Sequence, residues 1–411
     1  MIKKLLSLLC IGFSMLSFAQ SDEVLFIGNS ITYFNDMPEI FKNIAASKGK
    51  NVSITTHTPG GTGFVNHVDD PSLYQKIRSK NYKYVIMQPG SAESPGYSFP
   101  VTVTAERGRK IRDTIRKYSP CSKIFLYEIP YGVPSANEYN TYFTIQQKIK
   151  DSITKMSNLM QVEMVPAGES VRNYYNTTQD LALHGSYNDI HPGPKGSYLI
   201  AASMYSAIFQ DHVFPSTFYN GLPQNTAENF QNIADQVFFN NPAQWNSNAF
   251  HLHADFTAAI NGTAVTFTNH SSNQTSVLWS FGDGITDSSQ NPVHQYTSPG
   301  NYTVTLTVNK NSCSETFTKI INIGSLGTID SNVKPELTFY PNPVTDFCYI
   351  SSKEKMKDLI IYDMAQRKIA DWKNLHIYDT KIDFSKYSKG AYMINILYEN
   401  DRRESLKIIV K

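Results

Sequence analysis

VLFIGNSITYFN, residues 24 to 35, decides the fold. Val24, Leu25, Phe26 and Ile27 form a short, continuously apolar run, the pattern of a strand buried on both faces of a parallel sheet. Gly28 permits a tight exit, and Asn29 and Ser30 stand where the strand hands over to a helix. The Ser30 hydroxyl can therefore project at the carboxyl end of the sheet, beside free backbone N–H groups. Two readings follow. Ser30 is the N-cap of the next helix, a position serine often takes, or it is a nucleophile.

Working outward, residues 20–248 alternate apolar strands with helical periodicity. Met37 to Lys48 sets Ile40, Phe41, Ile44 and Ala45 on one helical face. Strands are expected at Val52–Thr56, Tyr84–Met87, Lys123–Tyr127 and Val162–Val165. Helices are expected at Thr104–Tyr118, Tyr139–Leu159 and Tyr198–Phe209. Such alternation implies an α/β fold, a doubly wound parallel sheet whose ligands bind off the strand carboxyl ends. Three turns fall there: the Ser30 turn, the Thr58-Pro-Gly-Gly-Thr-Gly63 loop around Gly60 and Gly61, and Gln88-Pro-Gly-Ser91. His191 lies in a Pro- and Gly-rich loop before the last helix, where it can serve Ser30 as general base or simply bond a backbone carbonyl.

Composition bounds the alternatives. A chain of 411 residues, 41% hydrophobic and 12% aromatic, is globular and long enough for two or three domains. A formal charge of +2 argues against a nucleic-acid partner. Residues 1–19, MIKKLLSLLCIGFSMLSFA, have the basic start, apolar stretch and small-residue end of a secretory signal peptide, so export is expected. No later run suits an integral membrane segment after signal cleavage. Cys121, Cys313 and Cys348 follow no disulfide or metal-ligand spacing and read as packing thiols.

The Gly28-Asn29-Ser30 turn, the Gly60-Gly61 turn and Asp189-Ile190-His191-Pro192, in this order, resemble the SGNH (GDSL-like) hydrolase family over about Asp22 to Gln210. The resemblance implies a flavodoxin-like catalytic domain with Ser30 as nucleophile and His191 as base. It further implies oxyanion donors from the Ser30 N–H, the Gly61 N–H with Gly60 as alternative, and a side-chain amide. Two positions depart from the family pattern. The family's amide is an Asn in a Gly-x-Asn-Asp block, and here Gln88 follows the corresponding strand; Gln88 is the expected donor, with Ser91 in reserve. The family carboxylate stands three residues before the histidine, and here that residue is Asn188, with Asp189 two before. Asp189 is the expected partner of His191, Asn188 the weaker option.

Other residues invite attention. Glu128 follows a strand at the active end, as a second carboxylate or as a capping or salt-bridging residue near a Pro turn. His57, His67 and His184 lack metal-ligand spacing. Tyr33, Tyr97, Phe99, Tyr131 and Tyr187 fall in loops at the active face, for stacking on sugar rings or for lid packing.

Beyond His251 the pattern changes to short alternating strands. Trp279-Ser-Phe-Gly-Asp-Gly284, His294-Gln-Tyr296 and the run from Pro299 resemble the PKD domain over residues 251–323, with Trp279 as core and Asp283 as turn former. A linker, 324–335, precedes residues 336–411, whose Tyr340-Pro-Asn-Pro343, Lys389-Gly-Ala-Tyr-Met-Ile-Asn-Ile396 and terminal Lys407-Ile-Ile-Val-Lys411 resemble the C-terminal sorting domain of the type IX secretion system. Two small all-β sandwiches are thus expected after the α/β domain. The resulting expectation is a secreted or surface serine esterase with no metal or organic cofactor, exported through the periplasm by the type IX machinery. Its substrate would be an O-acetylated polysaccharide or another acyl ester; a catalytically weak carbohydrate-binding surface protein is the alternative.

Overall fold

The computed structural model describes residues 21–324, 337–363, 367–400 and 402–411. The expected signal peptide, and the linker after Gly324, lie outside them. Two compact units divide the chain at Gly324.

In the first unit five parallel strands form a sheet of order β2-β1-β3-β4-β5: β1 (Asp22–Ile27), β2 (Val52–His57), β3 (Tyr84–Met87), β4 (Lys123–Tyr127) and β5 (Glu163–Val165). Val24 to Ile27 are fully buried, as their unbroken apolar run requires, and each such side chain contributes about 1.5–3 kcal/mol. Because β1 pairs with both β2 and β3, the strand order reverses there, and the turns after β1, β2 and β3 meet at the switch point.

Helices cover both faces. The turn after β1 opens into α1 (Ser30–Tyr33), and α2 (Met37–Ser47) buries Ile40, Phe41, Ile44 and Ala45 against the sheet. Next come α3 (Phe64–His67), α4 (Pro71–Ser79), α5 (Val101–Tyr118), α6 (Tyr139–Met160) and α7 (Ala167–Thr177). The helix α8 (Pro194–Phe209) is apolar all round and almost wholly buried, packed on α2, α7 and α9 (Gln224–Phe239). Helices α3, α4, α7 and α9 are not among the expected elements.

Residues 256–323 form two antiparallel sheets around Phe256, Phe267, Trp279 and Phe281, with Trp279 fully buried. One disulfide corrects the cysteine expectation: Cys121, in the turn before β4, is bonded to Cys313, at the start of the strand Cys313–Ile323. Positions 192 residues apart carry no local spacing to reveal the pair. Cys348 is free and buried. The Lys123 ammonium meets Glu315 at 2.9 Å, and His251 meets Glu163 at 2.6 Å, so the β-sandwich docks at the amino ends of β4 and β5, away from the switch point.

In the second unit the long, bulged strand Phe347–Asp363 pairs with four others and organises an antiparallel core of Ile350, Leu359, Ile361, Ile394 and Ile408. No helix among the described residues is long and apolar enough to cross a membrane.

Candidate active site

The turn after β1 is built around Asn29. Its extended backbone makes it the N-cap of α1, and its Oδ1 accepts the Ile31 N–H at 3.0 Å. Ser30 is therefore the first helical residue and not the cap, which leaves its hydroxyl uncommitted to the helix end.

That hydroxyl meets His191 Nε2 at 2.8 Å. The other ring nitrogen, Nδ1, lies 2.7 Å from Asp189 Oδ1, which also accepts the His191 backbone N–H at 2.9 Å. This pair of hydrogen bonds is an Asx turn closed on its own histidine, and it explains how a carboxylate two residues upstream reaches the ring. Asn188 takes a left-handed conformation, φ 61°, and its N–H is held by the Val133 carbonyl at 2.7 Å. Opposite it, a Cβ on Gly132 would come within 2.7 Å of the Asp189 carbonyl carbon. The backbone bond from His191, then the ring bond, hold the Asp189 carboxyl below the usual carboxylate range despite partial desolvation. His191 is about one quarter exposed and reachable by a ligand.

Gln88 departs from expectation. Its Oε1 accepts the Asn29 N–H at 3.1 Å and the Thr32 hydroxyl at 2.6 Å; its Nε2 donates to Asn29 Oδ1 and to the Pro89 carbonyl, both at 2.9 Å. The backbone N–H of Asn29 is an unambiguous donor, which fixes the orientation of this amide. Both amide protons are engaged inside the fold and Gln88 is buried, so it is a brace for the turn rather than an oxyanion donor. Gly28 belongs to the same interlock, because a Cβ there would lie 2.5 Å from Thr32 Oγ1 and 2.6 Å from Gln88 Oε1.

The loop after β2 crosses the one after β3 at backbone distance: a Cβ on Gly63 would sit 2.8 Å from Gly90 N. Buried Glu93 ties them, accepting N–H groups from Phe64 at 2.7 Å, Gly90 at 2.8 Å and Val65 at 3.0 Å. Glu93 carries little signal in the sequence, being a lone carboxylate in a small-residue loop. Gly61 is left-handed, φ 70°, with open space at its Cβ position, and Asn29, Gly61, Asn66 and Ser91 share the lining of a groove of about 170 Å³. Neither the Ser30 nor the Gly61 backbone N–H has an acceptor among the described residues.

Glu128 and the three other histidines of this domain's candidates are engaged in contacts within the fold. Glu128 is fully buried, bonded to Gln146 at 2.7 Å and to the Glu169 N–H in the first turn of α7 at 2.8 Å; burial pushes its carboxyl well up. His67 meets the Gly28 carbonyl at 3.0 Å, His57 meets Asp70 at 2.9 Å, and His184 meets the Tyr175 hydroxyl at 2.8 Å. The three thus have separate partners. Tyr33, Tyr97 and Tyr187 are exposed.

Comparison with known proteins sorts the chain by region. Residues 253–323 match the PKD domain family, and residues 338–411 match the secretion system C-terminal sorting domain. The tail is a type IX sorting domain, and it marks the protein for export to the cell surface or for secretion. A microbial collagenase of Vibrio alginolyticus is 38% identical over 76 residues, 17% of this chain; the chain spans 9% of that protein's length. Among solved structures, a DUF4886 family protein of Bacteroides uniformis aligns with TM-score 0.45 and 16% identity, over 54% of this chain and 96% of its own. A GDSL-like lipase of Parabacteroides merdae aligns with TM-score 0.35 and 16% identity, over 46% of this chain and 95% of its own.

Proposed function

We propose that residues 22–210 form a serine ester hydrolase that works through an acyl-enzyme. The observation that carries this reading is the continuous chain from Ser30 Oγ through His191 Nε2 and Nδ1 to Asp189 Oδ1, at 2.8 Å and 2.7 Å. Ser30 Oγ attacks the ester carbonyl while His191 Nε2 takes its proton, and Asp189, ionised at neutral pH, holds the Nδ1–H and stabilises the imidazolium. The backbone N–H groups of Ser30 and Gly61 receive the oxyanion. The imidazolium then protonates the leaving alcohol; water, activated by the same His191, releases the acyl group as acid and restores Ser30.

The substrate we propose is an O-acetyl group on a polysaccharide. Export and an appended β-sandwich suit a polymeric substrate outside the cell, and the exposed Tyr33 and Tyr187 suit contact with sugar rings. Other acyl esters are the second substrate class.

The test is covalent labelling of the full chain by a fluorophosphonate at neutral pH. A single adduct on the peptide carrying Ser30 is expected, absent in Ser30→Ala, with ester turnover lowered at least about a thousandfold in Ser30→Ala and His191→Ala. Absence of any adduct at Ser30 would overturn the reading in favour of a binding protein. Released acetate from a panel of acetylated polysaccharides, against p-nitrophenyl esters of longer acids, decides between the substrate classes.

A further inference from the structure

We infer that Phe34 and Asn35 are positioning residues that lock the His191 imidazole onto Ser30; the inference rests on the serine-hydrolase reading above. Two in-plane hydrogen bonds, to Ser30 and Asp189, set the ring nitrogens but leave the ring free to tilt out of their plane. Phe34 removes that freedom. Its ring lies against the imidazole with centroids 4.1 Å apart and planes 21° apart. Phe34 is 37% exposed, so its placement is not explained by core burial. A π face against the imidazole also favours the cationic ring formed when His191 takes the Ser30 proton.

Asn35 fixes the loop that carries the histidine. Its Nδ2 donates to the Pro192 carbonyl at 2.7 Å and to Ser197 Oγ at 2.9 Å, and Ser197 Oγ reaches the Phe34 carbonyl at 3.3 Å. The residue directly after His191 is thereby tied to a residue five positions after Ser30, across some 157 positions of sequence. The backbone departs from the ordinary to make this tie. Asn35 and Asp36 are both left-handed, φ 52° and 57°, consecutive non-glycine residues in a conformation that residues with side chains rarely adopt. Asn and Asp bear it best among side-chain-bearing residues. A one-ångström displacement of the base is worth about a hundredfold in rate, which is the scale of effect such a tie protects.

The experiment uses the full chain with Phe34→Leu, Phe34→Tyr and Asn35→Gly, the last keeping the left-handed backbone while deleting the amide. Two readouts are taken: kcat and KM on p-nitrophenyl acetate, and the rate of His191 carbethoxylation by diethyl pyrocarbonate, followed by peptide mass spectrometry. Phe34→Leu and Asn35→Gly should each lower kcat about tenfold or more with KM within about twofold, and Phe34→Tyr should keep at least about half of kcat. Carbethoxylation of His191 should rise several-fold in Phe34→Leu and Asn35→Gly, because an untethered ring exposes Nε2. Unchanged kcat and carbethoxylation in both variants would overturn the inference, as would a rise in KM alone, which assigns Phe34 to substrate contact. Failure of the hydrolase reading looks different: no adduct forms at Ser30 in the unsubstituted chain, while the carbethoxylation rates still decide whether the ring is held.

Discussion

At the scale of the residue, the active turn depends on a division of labour between neighbours. Asn29 caps α1, which releases the Ser30 hydroxyl toward His191. Gln88 holds Asn29 and Thr32 through all its polar atoms. Gln88→Leu leaves the Asn29 N–H and the Thr32 hydroxyl buried without a partner, so unfolding free energy in urea should fall by about 2–4 kcal/mol. Turnover lost at unchanged stability would instead return Gln88 to the oxyanion. Asp189→Asn keeps the shape but reverses the bonding at Nδ1, favouring the wrong tautomer. Its kcat should fall about 10²- to 10⁴-fold, less than in His191→Ala, with the thermal midpoint little changed.

At the scale of the element, three loops and one short helix must meet, and buried histidines help to seat them. His67 in α3 bonds the Gly28 carbonyl at the exit of β1, and His184 bonds Tyr175 beneath the His191 loop. Burial pushes both imidazoles down to about 4 from 6.5. Between those values the unfolded chain binds protons that the folded one does not. Stability is therefore complete above about pH 6.5 and declines as pH falls toward 4, by up to about 3 kcal/mol per histidine. Urea midpoints measured from pH 7.5 to 4.5 should fall, and His67→Gln should flatten the slope. A midpoint independent of pH across that range would contradict the assignment of both rings as buried and neutral.

At the scale of the whole molecule, export and the Cys121–Cys313 disulfide agree, since such bonds persist in oxidising surroundings. The bond closes a loop of 192 positions and joins the α/β domain to the β-sandwich, with Lys123–Glu315 and His251–Glu163 beside it. Replacing both cysteines by serine should lower stability by about 3–5 kcal/mol on the loop-closure argument. Activity of the folded double variant should be unchanged, because Cys121 precedes β4 at the end of the sheet opposite Ser30. Non-reducing and reducing peptide maps check the bond directly, and a free Cys121 in the exported protein would remove it.

The α/β class, the strands β1 to β5 and the two β-rich regions that follow are legible in the sequence. Those features are written in local periodicity, where a run such as Val24–Ile27 has one stable use. Ser30 and His191 stand out as candidates there too, because strand-to-helix turns and loops at the sheet's carboxyl end are marked by nearby glycines and prolines, and the family resemblance adds Asp189. Three-dimensional packing alone shows which neighbour caps the helix, where the Gln88 amide points, that Glu93 ties two loops, that Phe34 stacks on His191 while Asn35 bonds Pro192, and that Cys121 pairs with Cys313. Apart from the cap, each of these is a contact between residues far apart in the chain. Such a bond depends on three-dimensional register and leaves no period in the sequence from which to read it.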